Sequence, residues 1–193
     1  LWDVWHERDL RAWIRTDRNH PCVIMYSLGN EIPDGKHYIA PTSEYVARSR
    51  ELARIAASED NTRPTTAANN NVANYTNDYP MTLAVMGCNY FSWQSPLLQE
   101  RYPDIPYFYT ESICMGSTRG YYRFPVILRY GDKNTVRDMS VSSYCWDGAG
   151  WAGRIDEHAW AVPPDVQWYW MDKVGTCMGE FVWTGIDYLG GPA

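Results

Sequence analysis

With 193 residues, 45% of them hydrophobic and 21% charged, the chain has enough apolar side chain to bury a core and is no disordered polymer. A net charge of −6 and a pI near 5.2 argue against a nucleic-acid partner, whose phosphates need a basic face. No apolar run approaches the roughly 18–20 residues that span a membrane, and the charged opening residues are not a signal peptide.

Trp2, Trp5, Leu10, Trp13 and Ile14 share one face of a helix predicted over 2–17, with Glu7, Arg8, Arg11 and Arg15 on the other. Leu1 stands where an initiator Met would be, which predicts a start inside a longer protein. His20-Pro21 ends the helix, because proline disfavours the helical conformation in the residue before it. An apolar strand over about 22–29 follows at once and stops abruptly in Gly29-Asn30-Glu31. A loop with Pro33, Gly35 and Pro41 leads to a second helix over about 42–58, with Thr42 or Ser43 as its N-cap and Tyr45, Val46, Leu52, Ala53 and Ile55 on its buried side.

A short strand at about 65–68 precedes the polar run Asn69-Asn70-Asn71. The next strand, 83–90, ends in Asn89 and Tyr90. A short helix over about 94–101 leads to a strand at 105–110 that ends at Glu111. From 112 to about 162 the sequence shows little periodicity, which predicts a long functional loop with some short helix. Pro163-Pro164-Asp165 opens a helix to about 174, and 176–183 is the last strand. Strands alternating with helices predict parallel β/α units, an α/β fold of five strands in a single domain over 1–193. Five strands are too few to close an eight-stranded barrel.

The five cysteines, Cys22, Cys88, Cys114, Cys145 and Cys177, form no CxxC pair and no close Cys/His cluster, which argues against a structural zinc. Cys22, Cys88 and Cys177 fall in or beside apolar runs and are expected to be buried free thiols. A reducing compartment is the simpler inference, but buried thiols survive elsewhere, so the sequence leaves cytoplasmic, periplasmic and secreted locations open. Ten Trp and fifteen Tyr stand against four Phe. Their flat apolar faces and polar tips suit stacking on sugar rings, and equally suit an ordinary core.

Two strand ends each deliver a carboxylate, Glu31 and Glu111. In a parallel α/β barrel the C-terminal ends of the strands form the catalytic rim. Glycoside hydrolysis needs a proton donor for the leaving oxygen and a second carboxylate as nucleophile or base, and these two glutamates fit as donor and nucleophile. Either Glu alone would equally suit a salt bridge or a helix cap. Asn30 can bond a sugar hydroxyl or shape a turn. Tyr90 can donate to the nucleophile or pack as a core aromatic. Trp183, at the end of the last strand, can floor a sugar site or pack beneath the loops.

The run from Arg18-Asn19-His20-Pro21 to Ser27-Leu28-Gly29-Asn30-Glu31 strongly resembles the acid/base segment of glycoside hydrolase family 2, the β-galactosidase and β-glucuronidase family. Thr110-Glu111-Ser112 with Ser117-Thr118-Arg119-Gly120 is similar to that family's nucleophile strand and the loop after it. Gly179-Glu180-Phe181-Val182-Trp183-Thr184-Gly185-Ile186-Asp187-Tyr188-Leu189-Gly190 is similar to its eighth barrel strand.

The resemblance implies a (β/α)8 TIM barrel of which the chain holds the C-terminal part, strands four to eight. It implies a retaining exo-acting β-glycosidase with Glu31 as general acid/base, Glu111 as nucleophile, Asn30 on the sugar 2-hydroxyl, Tyr90 as partner of the nucleophile and Trp183 as floor of the sugar subsite. Burial or a neighbouring negative charge should then raise the pKa of Glu31, and hydrogen bonds should hold that of Glu111 down. The two carboxyl groups of such an enzyme lie about 5–5.5 Å apart.

Gly29 before Asn30 favours the β-galactosidase branch, because relatives acting on glucuronides often have Ala there. Asp187-Tyr188 is similar to a β-galactosidase-like subgroup, so Asp187 is a candidate for a sugar hydroxyl; an Asx turn explains it equally well. The alternatives are a β-glucuronidase or other β-glycosidase on the same scaffold, and an inactive sugar-binding fragment.

The first three strands and the upstream β-sandwich domains of that family are absent from this sequence and would be its natural partners, with homo-oligomers left open. No cofactor is evident. Some β-galactosidases hold a magnesium ion near the acid/base Glu through further upstream ligands, which would precede residue 1. The segment Cys145–Trp151 matches only partly, which leaves loop-borne specificity open.

Overall fold

The computed structural model describes residues 1–31, 43–70, 78–113, 128–129, 136–137 and 164–186. Helix α1 (Trp2–Asp17) leads to strand β1 (Tyr26–Asn30), and helix α2 (Ser43–Glu59) to strand β2 (Thr65–Asn70). A 3-10 turn at Tyr79–Thr82 precedes β3 (Met86–Asn89); a second, at Ser92–Gln94, runs into α3 (Ser95–Arg101) and β4 (Tyr107–Ile113). Two short strands, β5 (Leu128–Arg129) and β6 (Val136–Arg137), pair antiparallel within the segment expected to be mainly loop; the rest of 114–163 lies outside the described residues. Helix α4 (Pro164–Asp172) and strand β7 (Cys177–Trp183) follow.

Five strands form one sheet in the order β1-β2-β3-β4-β7, and every neighbouring pair is parallel. Sequential parallel order with helical crossovers is the arc of a β/α barrel. It sets all five C-terminal strand ends on one rim.

Among the described residues, two apolar clusters hold the sheet. Leu10 and Ile14 of α1 meet Tyr26 of β1 and Ile55 and Ala56 of α2. Val46, Ala67, Leu83, Met86, Cys88, Leu98, Tyr107, Tyr109 and Val174 belong to the larger one. Tyr26, Tyr79, Tyr107 and Tyr109 are fully buried, so much of the tyrosine content serves the core. The buried hydroxyl of Tyr109 is satisfied by Ser95 Oγ at 2.6 Å.

Three expectations change. The first strand begins at Tyr26 and not at Cys22, because the residues before it are held otherwise: Val23 N donates to His20 O at 3.1 Å, and Arg63 Nε donates to Val23 O at 2.5 Å. Cys22 is consequently exposed, whereas Cys88 is buried and Cys177 is half-buried. On α1 only Leu10 and Ile14 are buried, while Trp5 and Trp13 stay 41% and 39% exposed.

The charged face of α1 is committed too. Arg11 and Arg15 both reach the Glu59 carboxylate at 2.7 Å, and Arg18 Nη1 donates to the Glu59 carbonyl at 2.7 Å. Hydrogen bonds from Arg15 and Arg11 hold the Glu59 carboxyl down at about 2. A carboxylate whose pKa is lowered by folding adds stability above its unfolded value, and that stability is lost as pH falls toward the folded value. Acid titration of the folded protein should therefore lose stability between about 4.5 and about 2. Glu59→Gln should flatten that part of the curve, read by tryptophan fluorescence; an unchanged curve would leave the cluster without a role in stability.

Gly87 shows how tightly β2, β3 and β4 approach. A Cβ there would lie 2.5 Å from Ala67 O and 3.0 Å from Thr110 Cγ2. The first contact is with backbone, which cannot swing away. Gly87→Ala is expected to cost about 2–3 kcal/mol or more in denaturant unfolding, by overpacking. A loss under about 0.5 kcal/mol would mean that the strands give way easily.

Candidate active site

Three strand ends build the site, and at each the backbone leaves the ladder through a left-handed residue. Glu31, directly after β1, has φ 47° and donates its N–H to Ala68 O at 2.7 Å. Tyr90, directly after β3, has φ 55° and donates its N–H to Glu111 O at 2.7 Å. In β4, Ile113 has φ 69°, two residues beyond Glu111. Positive φ costs a side-chain-bearing residue about 1–3 kcal/mol and is held only where the surroundings over-determine it. None of these residues is glycine, so the fold tolerates strain in order to turn these side chains.

The side chains form two bonded sets, held by the adjacent residues Asn89 and Tyr90. Tyr90 donates its hydroxyl to Glu111 Oε2 at 2.5 Å. Asn89, only 1% exposed, donates from Nδ2 to Glu31 Oε1 at 2.9 Å and to Asn30 Oδ1 at 3.1 Å. Its own Oδ1 accepts from Thr110 Oγ1 at 2.6 Å. The Asn89 amide lowers the Glu111 carboxyl, and the Glu31 charge raises it. Glu31 after β1 and Glu111 in β4 thus stand on one rim, with the ends of the two strands β2 and β3 between them.

Electrostatics depart from one expectation. The Glu111 carboxyl lies above its ordinary value. Burial is the largest cause, and the nearby Glu31 adds to it; hydrogen bonds from Tyr90 and Asn89 pull the other way, as expected, but do not win. Desolvation disfavours the charged form, and two donors only partly repay it.

Of the residues singled out in the sequence, Asn30 and Glu31 are joined through Asn89, and Tyr90 is joined to Glu111. Trp183 reaches the same rim through the sheet register, which pairs it with Ile113; it is 43% exposed. Asp187 lies outside the described residues. Sequence reasoning missed Asn89 and Thr110. The available signal was a polar residue closing an apolar strand just before Tyr90. Among the described residues no group of three or more His, Cys, Asp or Glu side chains gathers where a metal ion could be held, and no helix is long and apolar enough to cross a membrane.

Comparison with known proteins gives three findings. Residues 2–103 match the family described as Glycosyl hydrolases family 2, TIM barrel domain. The chain is 31% identical to the protein named Beta-galactosidase BoGH2A of Bacteroides ovatus, over 97% of this chain and 25% of that protein. It is similar to a crystal structure of a glycosyl hydrolase family 2 member from Bacteroides cellulosilyticus, with 26% identity, a TM-score of 0.63, and coverage of 97% of this chain and 19% of that one. The chain therefore spans a quarter or less of the length of these relatives.

Proposed function

Because this chain belongs to glycosyl hydrolase family 2, we propose that it carries the two catalytic carboxylates of a retaining exo-acting β-glycosidase whose sugar is galactose. The observation that carries the reading is the pair of bonded sets in which Asn89 and Tyr90 tie Glu31 and Glu111 to one rim. The galactose assignment is supported by the name of the 31% identical relative and by Gly29 before Asn30.

Glu31 is the general acid that protonates the glycosidic oxygen, and Glu111 is the nucleophile that bonds to the anomeric carbon. In the second half Glu31 takes a proton from water, and that water releases the sugar from Glu111. Tyr90 holds Glu111 by its hydroxyl, which fixes one carboxylate oxygen and steers the other. Asn30, whose Oδ1 accepts from Asn89, has its NH2 left to donate to the sugar 2-hydroxyl. Trp183 forms the floor of the sugar subsite, and Asp187 reaches a further hydroxyl. Residues 1–193 serve as one part of a barrel domain, with a carbohydrate as substrate.

The test is hydrolysis of aryl β-galactoside, β-glucuronide, β-glucoside and β-mannoside by the full-length protein, with the anomer of the first product read by NMR. Release of β-galactose from the galactoside alone is expected. Preference for the glucuronide would keep the mechanism and replace the sugar. First release of the α-anomer would overturn retention, and no turnover on any of the four would overturn the enzyme reading.

A further inference from the structure

We propose that Asn89 is a positioning residue for Glu31: its carboxamide anchors one oxygen of that carboxylate and supplies the hydrogen bond that receives the charge left when the proton departs. This rests on the roles proposed above for Glu31 and Glu111.

Three features of the site carry it. Asn89 is 1% exposed, so water does not substitute for its N–H groups. A hydrogen bond in such surroundings is stronger than one at the surface, and a missing one costs more. The amide is also locked. Thr110 Oγ1 donates to Asn89 Oδ1 at 2.6 Å, which fixes the oxygen end and commits the nitrogen end to Glu31 Oε1 at 2.9 Å. A flipped amide would turn an acceptor toward the carboxylate, so Glu31 keeps the donor end in place while Thr110 satisfies the oxygen end. Finally, the same amide lowers the Glu111 carboxyl against the burial that raises it.

The charge flow explains why an amide donor on Glu31 is useful. In the first half the bond from the anomeric carbon to the leaving oxygen breaks. The Glu31 proton passes to that oxygen, and a Glu111 oxygen bonds to the carbon. Negative charge leaves Glu111 and arises on Glu31. In the second half a water proton passes to Glu31, the water oxygen bonds to the carbon, and the bond to Glu111 breaks, so the charge returns. A donor already placed on Glu31 meets that charge without backbone movement, which is the preorganised stabilisation that favours a transition state. Asn89 touches neither the sugar nor the leaving group in this scheme; it acts through Glu31.

The experiment compares the full-length protein with Asn89→Ala and Thr110→Val on aryl β-galactosides whose leaving groups range from dinitrophenolate to unactivated phenolates. Asn89→Ala should lower kcat/KM roughly 10–100-fold for the poor leaving groups, the scale of one lost hydrogen bond to a charged group. Dinitrophenolate, which leaves without a proton, should be affected several-fold at most. Thr110→Val should act in the same direction and more weakly, and it decides the question should Asn89→Ala not fold. An equal loss for every leaving group would leave Asn89 with a purely structural role and overturn the inference. That outcome is distinct from a parent protein that cleaves no β-glycoside, which would overturn the functional reading before any variant is made.

Discussion

Glu111→Gln is expected to lower kcat/KM for an aryl β-galactoside on the order of 10⁴-fold or more, because no covalent intermediate can form without the nucleophile. The loss should be the same for good and poor leaving groups, since both need the attack. Glu111→Ala with azide should regain turnover and yield the α-galactosyl azide, because the small anion attacks from the face that Glu111 occupied. The parent should show an acid limb in kcat/KM above the ordinary carboxylate range, because burial and the neighbouring Glu31 raise the Glu111 carboxyl. Tyr90→Phe removes one of the two donors that oppose this rise and should move the limb further up. A Glu111→Gln protein with near-parent turnover would break the carboxylate-pair argument itself.

The same carboxyl predicts stability with the opposite sign to Glu59. A pKa raised by folding means that the native state holds the proton more tightly than the unfolded chain does. Stability is then lost as pH rises through the raised value, and at neutral pH the ionised Glu111 is a burden on the fold. Glu111→Gln should unfold at or above the parent midpoint at pH 7, so inactivity would not be explained by collapse. Function that holds a strained or charged site against stability commonly behaves this way.

What the sequence disclosed was what depends on local pattern. The α1 limits, Trp2 to Asp17, follow from its periodicity and from Pro21. Glu31 and Glu111 were visible because each ends an apolar run, and parallel order fixed their common rim. What stayed hidden depends on partners far along the chain. Asn89 is tied to Asn30 and Thr110, which are 59 and 21 residues away. Arg11 and Arg15 pass for solvated charges on a helix until α2 brings Glu59 beside them, 48 and 44 residues on. The left-handed turns at Glu31 and Tyr90 have no glycine to announce them. The start of β1 is obscured for a similar reason: Arg63, from the turn before β2, takes the Val23 carbonyl that a longer strand would have used.

Glu31→Gln is expected to separate the two halves of the reaction. With a poor leaving group, roughly 10²–10⁴-fold should be lost, because the departing oxygen no longer receives a proton. With dinitrophenolate the first half should survive, but water then lacks its base, so the glycosyl-enzyme accumulates. A burst followed by slow turnover should appear, with kcat and KM falling together. Glu31→Ala with azide should speed the second half and give the β-galactosyl azide, the opposite anomer from the Glu111→Ala product, because azide now enters from the leaving-group side. The acid limb should move down in Glu31→Gln, since the Glu31 charge is one cause of the raised Glu111 carboxyl. A uniform loss over all leaving groups, with no burst and no azide product, would remove Glu31 from the acid/base role. Glu111 would remain as nucleophile, and the acid would have to be sought elsewhere on the rim.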